Sequence, residues 1–368
     1  MIPTLRLRAF VLVSAIVSVP TMSAQAQKDS ATKLEPVVIV TRSGGKSVLR
    51  SPFAITIVQP DSARPGQRHT AVDETLALVP GLTAVSRNNP AQDPRLSIRG
   101  FGSRSAFGVR GIRVLRDGMP LTLPDGQTPL DYMSLESVGR IEVLRGAASA
   151  LYGNGSGGVI DLQTIAPSLA HASGNATQLA GANGFLRSAL SASGTVGPVG
   201  YVGDAAYTRS DGYRAHSRQR ATTGFARAGY SRGSTDFSLS FMGLDNPLAE
   251  NPGPLTIDEM NTDSRMADAA SLRRNARKAV RQVQIGASAV HQYSRGDVSV
   301  SAFGGARSLD NPLTFGIIEV GRHSYGASTA GRYHADVLGM RHTLTGGVDL
   351  QSQNDLRRNY EIGRAWCR

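Results

Sequence analysis

The sequence predicts a mainly β protein, in which a compact α+β domain precedes the first part of an antiparallel transmembrane β-barrel. Three observations lead to this prediction. The chain opens with the features of an export signal, residues 51–167 mix strand and helix signals, and apolar and polar residues alternate weakly from about residue 175 onwards. The apolar content of 40% is that of a folded protein, which excludes disorder as the overall state.

Residues 1–26 show the three parts of an export signal in the usual order. Two arginines supply the charged part, residues 9–19 are apolar, and Ala24 and Ala26 mark a cleavage site. The apolar part is shorter than the roughly 18 residues that a membrane-spanning helix needs. We therefore expect a cleaved signal peptide and not a membrane anchor.

A short β-prone run follows in an otherwise polar segment, residues 27–50. Pro36 disfavours a helix, and the neighbouring valines and isoleucine favour an extended chain. Two interpretations stay open from the residues alone: the run adds a strand to the sheet of a partner protein, or it is the first strand of the following domain. The run consists of Leu34, Glu35, Pro36, Val37, Val38, Ile39, Val40 and Thr41.

Residues 51–167 are predicted to form the compact α+β domain. Apolar patterns predict strands at residues 53–58, 96–98, 112–115, 140–144 and 159–162. A helix is predicted to begin near Thr70 and to end at Pro80 and Gly81. The glycines at positions 153–158 precede a strand and not a helix, so we interpret them as residues of a sharp turn or close packing and not as a nucleotide-binding loop.

Residues 168–368 have the pattern of membrane-spanning β-strands. Phe237, Leu239 and Phe241 alternate with serines, and segments of this kind, about ten residues each, predict about nine strands. Short turns are predicted at residues 197–200, 232–234 and 294–296, and long polar loops at residues 211–219, 245–272 and 308–322. A soluble β-sandwich is the alternative, but the export signal and the unequal loops favour a transmembrane barrel.

Charge and motifs exclude several classes of function. The net charge of +12 is mostly spread along the chain, and the one basic cluster, residues 273–281, has no interleaved aromatic residues, so we expect no nucleic-acid binding. The seven histidines form no spaced pair, and we expect no metal site. We also expect no enzyme, because Asn154 occupies the position of the first glycine that a hydrolase needs before a nucleophile at Ser156.

Several stretches resemble motifs of TonB-dependent outer-membrane receptors. Residues 34–42 are similar to the TonB box of that family, residues 94–101 to a plug strand that ends in Ile-Arg-Gly, and residues 117–120 to a plug turn. The most distinctive similarity is to a further plug stretch of the family, and it covers residues 140–146, 152–153 and 157–160. Ala147 departs from the family pattern, which usually has proline there.

The resemblance implies a domain order and a location. Residues 1–26 are the signal peptide, 27–50 a flexible segment with the TonB box, 51–167 the plug domain and 168–368 a partial β-barrel. The expected fold is thus mainly β, with an α+β plug followed by about nine barrel strands in contact with lipid of the outer membrane. TonB is the implied partner at the periplasmic face, where it pairs with the box and pulls on the plug.

The implied function is import of a scarce iron chelate, ferric citrate or another siderophore, with energy supplied by TonB. Residues 99–104, 124–127 and 211–214 are similar to receptors of the ferric-dicitrate type. The candidate ligand-binding residues, expected on the outer loops of the plug, are Arg104, Gln127, Arg87, Asn88 and Arg95. No resident cofactor is expected, because the ferric chelate is cargo. The alternatives are a receptor for haem, cobalamin or a sugar, and a non-functional fragment of such a receptor.

Two further expectations concern the ends of the chain. Only residues 27–33 separate the expected cleavage site from the box, so we expect no signalling domain and no anti-sigma partner. About nine strands are too few to enclose a plug. Residues 361–368 also lack the aromatic-ended last strand of the family, and we expect a chain truncated at its C-terminus.

Overall fold

The structure, a computed structural model, describes residues 53–60, 72–86, 88–105, 108–131, 133–146 and 148–361. The predicted signal peptide, the predicted TonB box at residues 34–41 and Arg87 lie outside the described residues. Within the described ranges, no helix combines the length and the apolar character that crossing a membrane requires.

The first part of the chain forms a five-stranded sheet, called the small sheet, in the order β1-β6-β7-β4-β5. Strands β4 and β7 pair in parallel, and the other neighbours are antiparallel. A separate hairpin joins β2 to β3. The elements are β1 (Ala54–Val58), α1 (Val72–Leu76), β2 (Leu82–Val85), β3 (Arg95–Ile98), β4 (Ile112–Arg116), β5 (Met119–Pro120), β6 (Val138–Arg145), α2 (Ser149–Tyr152) and β7 (Gly158–Thr164).

Both faces of the small sheet are covered. Ile141 and Ile160 are buried in one apolar cluster, and Leu144 and Val159 are buried in a second one. Successive residues of a strand point to opposite faces, so a strand covered on both sides needs apolar residues at odd and even positions alike. This explains why β6 and β7 carry apolar residues at both odd and even positions, and the charged side chains of Glu142 and Asp161 are buried among them.

The glycine loop before β7 is a packing feature, as predicted. Gly158 has a φ of +145°, and a Cβ atom built on it would lie 2.2 Å from the carbonyl oxygen of Leu144. No other residue type fits this position without moving the backbone of β6. The strand that follows, β7, leaves no helix N-terminus at the loop to hold a phosphate.

Strands β8–β16 form the large sheet, in which each strand pairs antiparallel with its neighbours in the chain. The predicted number of nine strands is confirmed, as is the predicted fold class. Among the described strands, β8 and β16 are the two edges. The strands are β8 (Ser173–Ala180), β9 (Leu186–Val196), β10 (Val199–Ser210), β11 (Gln219–Arg232), β12 (Thr235–Glu250), β13 (Arg277–Tyr293), β14 (Gly296–Pro312), β15 (Gly316–Val337) and β16 (Met340–Glu361).

The connections at the two ends of the large sheet differ in length. One end has the two-residue turns 197–198, 233–234, 294–295 and 338–339. The other, called the long-connection end, has residues 181–185, 211–218, 251–276 and 313–315, and the longest of these contains helices α3 (Ile257–Thr262) and α4 (Ala269–Arg273). In outer-membrane barrels the short turns are periplasmic and the long loops external. The long-connection end is therefore the external end.

The two faces of the large sheet differ in polarity and contacts. Phe237, Leu239 and Phe241 of β12 are between 43% and 57% exposed on the outward face. Met242 and Leu244 of the same strand are buried in the apolar cluster of the small sheet. Apolar side chains exposed in rows are unfavourable in water but suit the hydrocarbon of a bilayer.

Some predicted limits are wrong. Residues 308–322 were expected to be a loop, yet β14 continues to Pro312 and β15 begins at Gly316. Strand β12 likewise continues to Glu250, into the predicted loop 245–272. Polar residues in these stretches, such as Arg322, face the space between the two sheets, where polarity does not mark a loop. Helix α1 ends at Leu76, before the predicted stop at Pro80, and β2, β5 and α2 were not predicted.

Candidate functional site: a basic cavity between the two sheets

A cavity of about 540 Å³ lies near the long-connection end, between loops of the first part of the chain and the inner face of the large sheet. Its walls hold six basic side chains but only three acidic ones. The basic residues are Arg95, Arg110, Lys278, Arg307, Arg322 and Arg357, and the acidic residues are Asp93, Asp125 and Asp355. The cavity is thus lined by an excess of positive charge at the external end of the sheet.

Short-range hydrogen bonds fix the loop that carries Gln127. The N–H of Gln127 donates to Oδ1 of Asp125 at 2.9 Å, and its carbonyl accepts from the N–H of Leu123 at 2.8 Å. Arg110 Nη1 donates to the carbonyl of Asp125 at 2.9 Å. These bonds keep Gln127 and Arg110 together at the edge of the cavity.

The register of the large sheet brings polar residues of four strands into one row. Gln282 of β13 pairs with Arg307 of β14, Arg307 with Arg322 of β15, and Arg322 with Asp355 of β16. Side chains directly opposite in a sheet lie on the same face, so this row faces the cavity. Arg322 contacts Asp355 at 2.6 Å and also reaches Asp125 on the facing loop at 3.3 Å.

A buried ionic network joins loops of the first part of the chain to the large sheet, whose inner face is called the wall below. Lys278 Nζ lies 2.6 Å from Asp93 Oδ1 and 3.1 Å from Asp131 Oδ2. Arg307 donates to both carboxylate oxygens of Asp131, at 3.1 and 3.0 Å. Burial alone would raise the pKa of Asp131, but the adjacent Arg307 and Lys278 outweigh it and lower that pKa. Asp131 is therefore ionised and bound by two cations.

Other polar contacts join the loop before β6 to strands β9 and β10. Ser134 and Ser137 donate to the carboxylate of Asp204 in β10, and Arg187 of β9 lies 2.7 Å from Glu136. Much of the contact between the two sheets is thus made of hydrogen bonds and ion pairs. Such groups can exchange their partners for water, so this junction can be opened at lower cost than an apolar one.

One buried cation belongs to the small sheet itself. The guanidinium of Arg116 lies 3.3 Å from the ring centroid of Phe225 in β11 and donates to Ser134 and Ser137. Burial lowers the pKa of Arg116 to about 10. The group stays charged at neutral pH, and it fixes the loop before β6 against the wall.

The predicted ligand residues occupy different places. Arg95 and Gln127 line the cavity, whereas Arg104 is exposed on the neighbouring loop and does not line it. Asn88 is exposed as well, with a φ of +51°, and Arg87 lies outside the described residues. A ligand-binding role stays a prediction for all five.

Most of the basic cavity residues were missed by sequence reasoning. Arg110, Lys278, Arg307, Arg322 and Arg357 line the cavity without having been proposed. One signal in the sequence could have found Lys278. Alternate residues of a strand share a face, and Lys278 shares its face of β13 with the polar Gln282 and Gln284. Within the described residues, no group of acidic, histidine or cysteine side chains could hold a metal ion.

Comparison with known proteins decides what the small sheet is. A family model described as the TonB-dependent receptor plug domain matches residues 47–160. This range contains β1–β6, the first three residues of β7, and the loops that carry Arg95, Arg110 and Gln127. Residues 47–160 are a TonB-dependent receptor plug domain. The resemblance on which the sequence analysis rested is therefore confirmed, and the small sheet with its loops is called the plug below.

Curated relatives align with this part of the chain. A "Hemin receptor" of Yersinia enterocolitica is 28% identical over 141 residues, which are 38% of this chain and 19% of the relative. An "Iron-regulated outer membrane virulence protein" of Vibrio cholerae serotype O1 is 30% identical over 152 residues, 39% of this chain and 22% of the relative. The aligned part thus covers about a fifth of the length of each relative.

The fold extends over most of the chain. The ferric citrate transporter FecA in its unliganded form superposes with a TM-score of 0.69 at 21% identity, over 86% of this chain and 50% of that one. The chain therefore spans about half the length of this transporter. Plug and large sheet together agree with the predicted location in the outer membrane. The predicted domain limits stay a prediction.

Proposed function

We propose that the protein works as a TonB-dependent outer-membrane receptor that binds an anionic iron chelate and imports it with energy from TonB. The observation that carries the proposal is the basic cavity between the plug and the large sheet at the external end. A ligand bound there from outside would touch both the plug and the wall. Binding would thus be coupled to the element that has to move for import.

The charges of the cavity favour an anionic ligand. Arg95 and Arg357 are exposed to it, and neither forms an ion pair with a described residue. Guanidinium groups bind carboxylates and other planar anions through paired charge-assisted hydrogen bonds. A concave site lined mostly by one sign of charge also concentrates ligands of the opposite sign.

Iron chelates are the ligand class that the relatives support. The similar proteins include a hemin receptor, an iron-regulated outer-membrane protein and a ferric citrate transporter. Ferric citrate, many siderophore complexes and the propionates of haem all present anionic oxygens. The described residues that line the cavity include no histidine, which disfavours axial binding of haem iron by them. Ferric citrate or another anionic siderophore complex is our preferred ligand.

The energy-coupling part of the proposal rests on the predicted TonB box and on the polar plug junction. An extended run such as residues 34–41 can add itself as a strand to a partner's sheet, and backbone hydrogen bonds then share a pulling force. Such a force would separate Asp131 of the plug from Arg307 of the wall, and Ser134 of the plug from Asp204 of the wall.

Binding titrations on the whole receptor test the ligand class. Ferric citrate, a ferric hydroxamate siderophore, hemin and cobalamin should be compared under one set of salt conditions. We expect the anionic chelates to bind and neutral cobalamin to bind weakly or not at all. The Arg95→Gln/Arg357→Gln double variant should weaken ferric citrate binding about tenfold or more, whereas Arg232→Gln at the periplasmic end should not. A preference for cobalamin would contradict the proposal.

A further inference from the structure

Two arginines stand directly opposite each other on the outward face of the large sheet. Arg209 of β10 and Arg220 of β11 are partners in register. Both are exposed, and Thr208 beside Arg209 is buried, so the two guanidinium groups lie on the face that points away from the plug. Like charges opposite each other destabilise a sheet.

No carboxylate of the described residues forms an ion pair that would relieve this repulsion. Within the described residues, neither Arg209 nor Arg220 has an ion pair or a side-chain hydrogen bond. The nearest acidic side chain in the register is Asp245, which pairs with Thr222, but Arg281 already binds it at 2.9 Å. An anion from outside the chain would stabilise the pair.

The position of the pair indicates where that anion comes from. Residues 211–218, which connect β10 to β11, belong to the external end. Tyr207 and Thr222 are the next outward positions below the two arginines, and Ala205 and Gly224 follow. The pair thus lies where the apolar band of the sheet ends and the polar head groups of the outer leaflet begin.

An apolar groove of about 560 Å³ lies on the same outward face below the pair. The larger side chains of Leu190, Leu239 and Phe241 flank the groove. The small side chains of Ala192, Ala205 and Ala226 form its floor. Arg209 is four residues beyond Ala205 along β10, about 13 Å at 3.3 Å per residue. This separation suits a molecule with an anionic head and an apolar chain.

We infer that Arg209 and Arg220 bind the phosphate of a phosphorylated lipid of the outer leaflet, and that an acyl chain of this lipid occupies the groove. The two guanidinium groups supply charge-assisted hydrogen bonds to the phosphate oxygens. The phosphate removes the repulsion between the arginines, and the acyl chain fills a concave surface. This site is on the opposite face of the sheet from the ligand cavity and does not depend on the imported ligand.

The test measures lipid binding to the purified whole receptor in detergent, with diphosphorylated lipid A and its dephosphorylated form as probes. The Arg209→Gln/Arg220→Gln double variant should bind diphosphorylated lipid A about tenfold or more weakly than the wild type. Arg232→Gln is the matched control, because Arg232 is an exposed arginine at the periplasmic end of β11. It should bind like the wild type.

A second comparison needs no variant. Removing the phosphates from lipid A should reduce its binding to the wild type to the level of the double variant. Equal binding of the two forms of lipid A, or wild-type binding by the double variant, would overturn the inference. Complete displacement of lipid A by millimolar inorganic phosphate would also overturn it, because the pair would then be a site for free anions.

Discussion

Arg307 of β14 binds Asp131 of the plug through two hydrogen bonds, at 3.1 and 3.0 Å, although 176 residues separate them in the sequence. The same carboxylate lies 3.1 Å from Lys278 of β13. Both basic residues also line the cavity proposed for the ligand. The network therefore connects the plug to the wall at the basic cavity in which an anionic ligand would bind.

Removing the charge of Asp131 should loosen the plug. Asp131→Asn leaves Arg307 and Lys278 partly buried without this carboxylate, and the loss of one partner of a buried pair costs about 3 kcal/mol. In the whole receptor, hydrogen exchange of the amides near residue 131 should become faster, and the melting temperature should fall. Asp258→Asn, at an exposed position of α3, is the control and should change neither quantity. Unchanged exchange in Asp131→Asn would show that the network does not hold the plug.

A buried carboxyl in the plug predicts a pH dependence of stability. Burial, and then the negative charges of Asp117 and Glu142, raise the pKa of Asp161 to about 8. An unfolded Asp titrates near a pKa of about 4, so between about pH 4 and 8 the folded state holds a proton that the unfolded state has lost. The contribution of Asp161 to the free energy of unfolding is therefore most favourable below about pH 4. It falls as the pH rises to about 8 and is constant above that pH.

Asp161→Asn should remove this dependence, because an amide cannot ionise. Its melting temperature relative to the wild type should increase from pH 5 to pH 8 in thermal melts of the whole receptor. The comparison with the wild type cancels the contribution of Asp131, whose lowered pKa acts in the opposite direction. A difference between the two proteins that does not vary with pH would contradict the raised pKa of Asp161.

The plug motif contains a position where only glycine fits. Gly158→Ala places a Cβ atom 2.2 Å from the Leu144 carbonyl oxygen in a backbone conformation that L residues rarely adopt, and we expect a loss of about 3 kcal/mol or more. Gly346→Ala is the matched control in β16, because nothing lies within 4 Å of its added Cβ. Equal amounts of folded receptor for both variants in outer-membrane fractions would speak against the close packing of β7 on β6.

Two arginines of the plug can distinguish a ligand bound in the cavity from one bound on the exposed loop beside it. Arg95 lines the cavity and Arg104 does not, so Arg95→Ala should weaken binding of ferric citrate by about 1.5–3 kcal/mol and Arg104→Ala by less. Isothermal titration of the two variants measures the difference. A larger effect at Arg104 would move the ligand from the cavity to the exposed loop beside it.

The plug could be predicted from sequence because its signals are local. Strands such as β6 and β7 combine closely spaced apolar residues with nearby glycines, and each pattern can be found within about ten residues. The short strand β2 was missed, because its four residues have meaning only beside β3. Arg95 and Gln127 were found through motifs on plug loops, not through any property of a cavity.

The wall of the cavity could not be predicted in the same way. Lys278, Arg307 and Arg322 meet only because the strands align in one register, and a shift by one residue would turn all of them to lipid. The polarity of residues 308–322, which include Arg322, instead suggested a loop. Inward-facing polar residues of a membrane-spanning sheet resemble loop residues in a linear sequence, and only the pairing of the strands separates the two.

The central claim, TonB-driven import of an anionic iron chelate, is tested most directly by uptake of radiolabelled ferric citrate into cells that carry the whole receptor with Val38→Pro. Proline removes a backbone donor and disturbs strand addition at the predicted TonB box. We predict that energised uptake is abolished, while binding of ferric citrate at the cell surface stays at the wild-type level. Wild-type uptake by the Val38→Pro receptor would contradict the account.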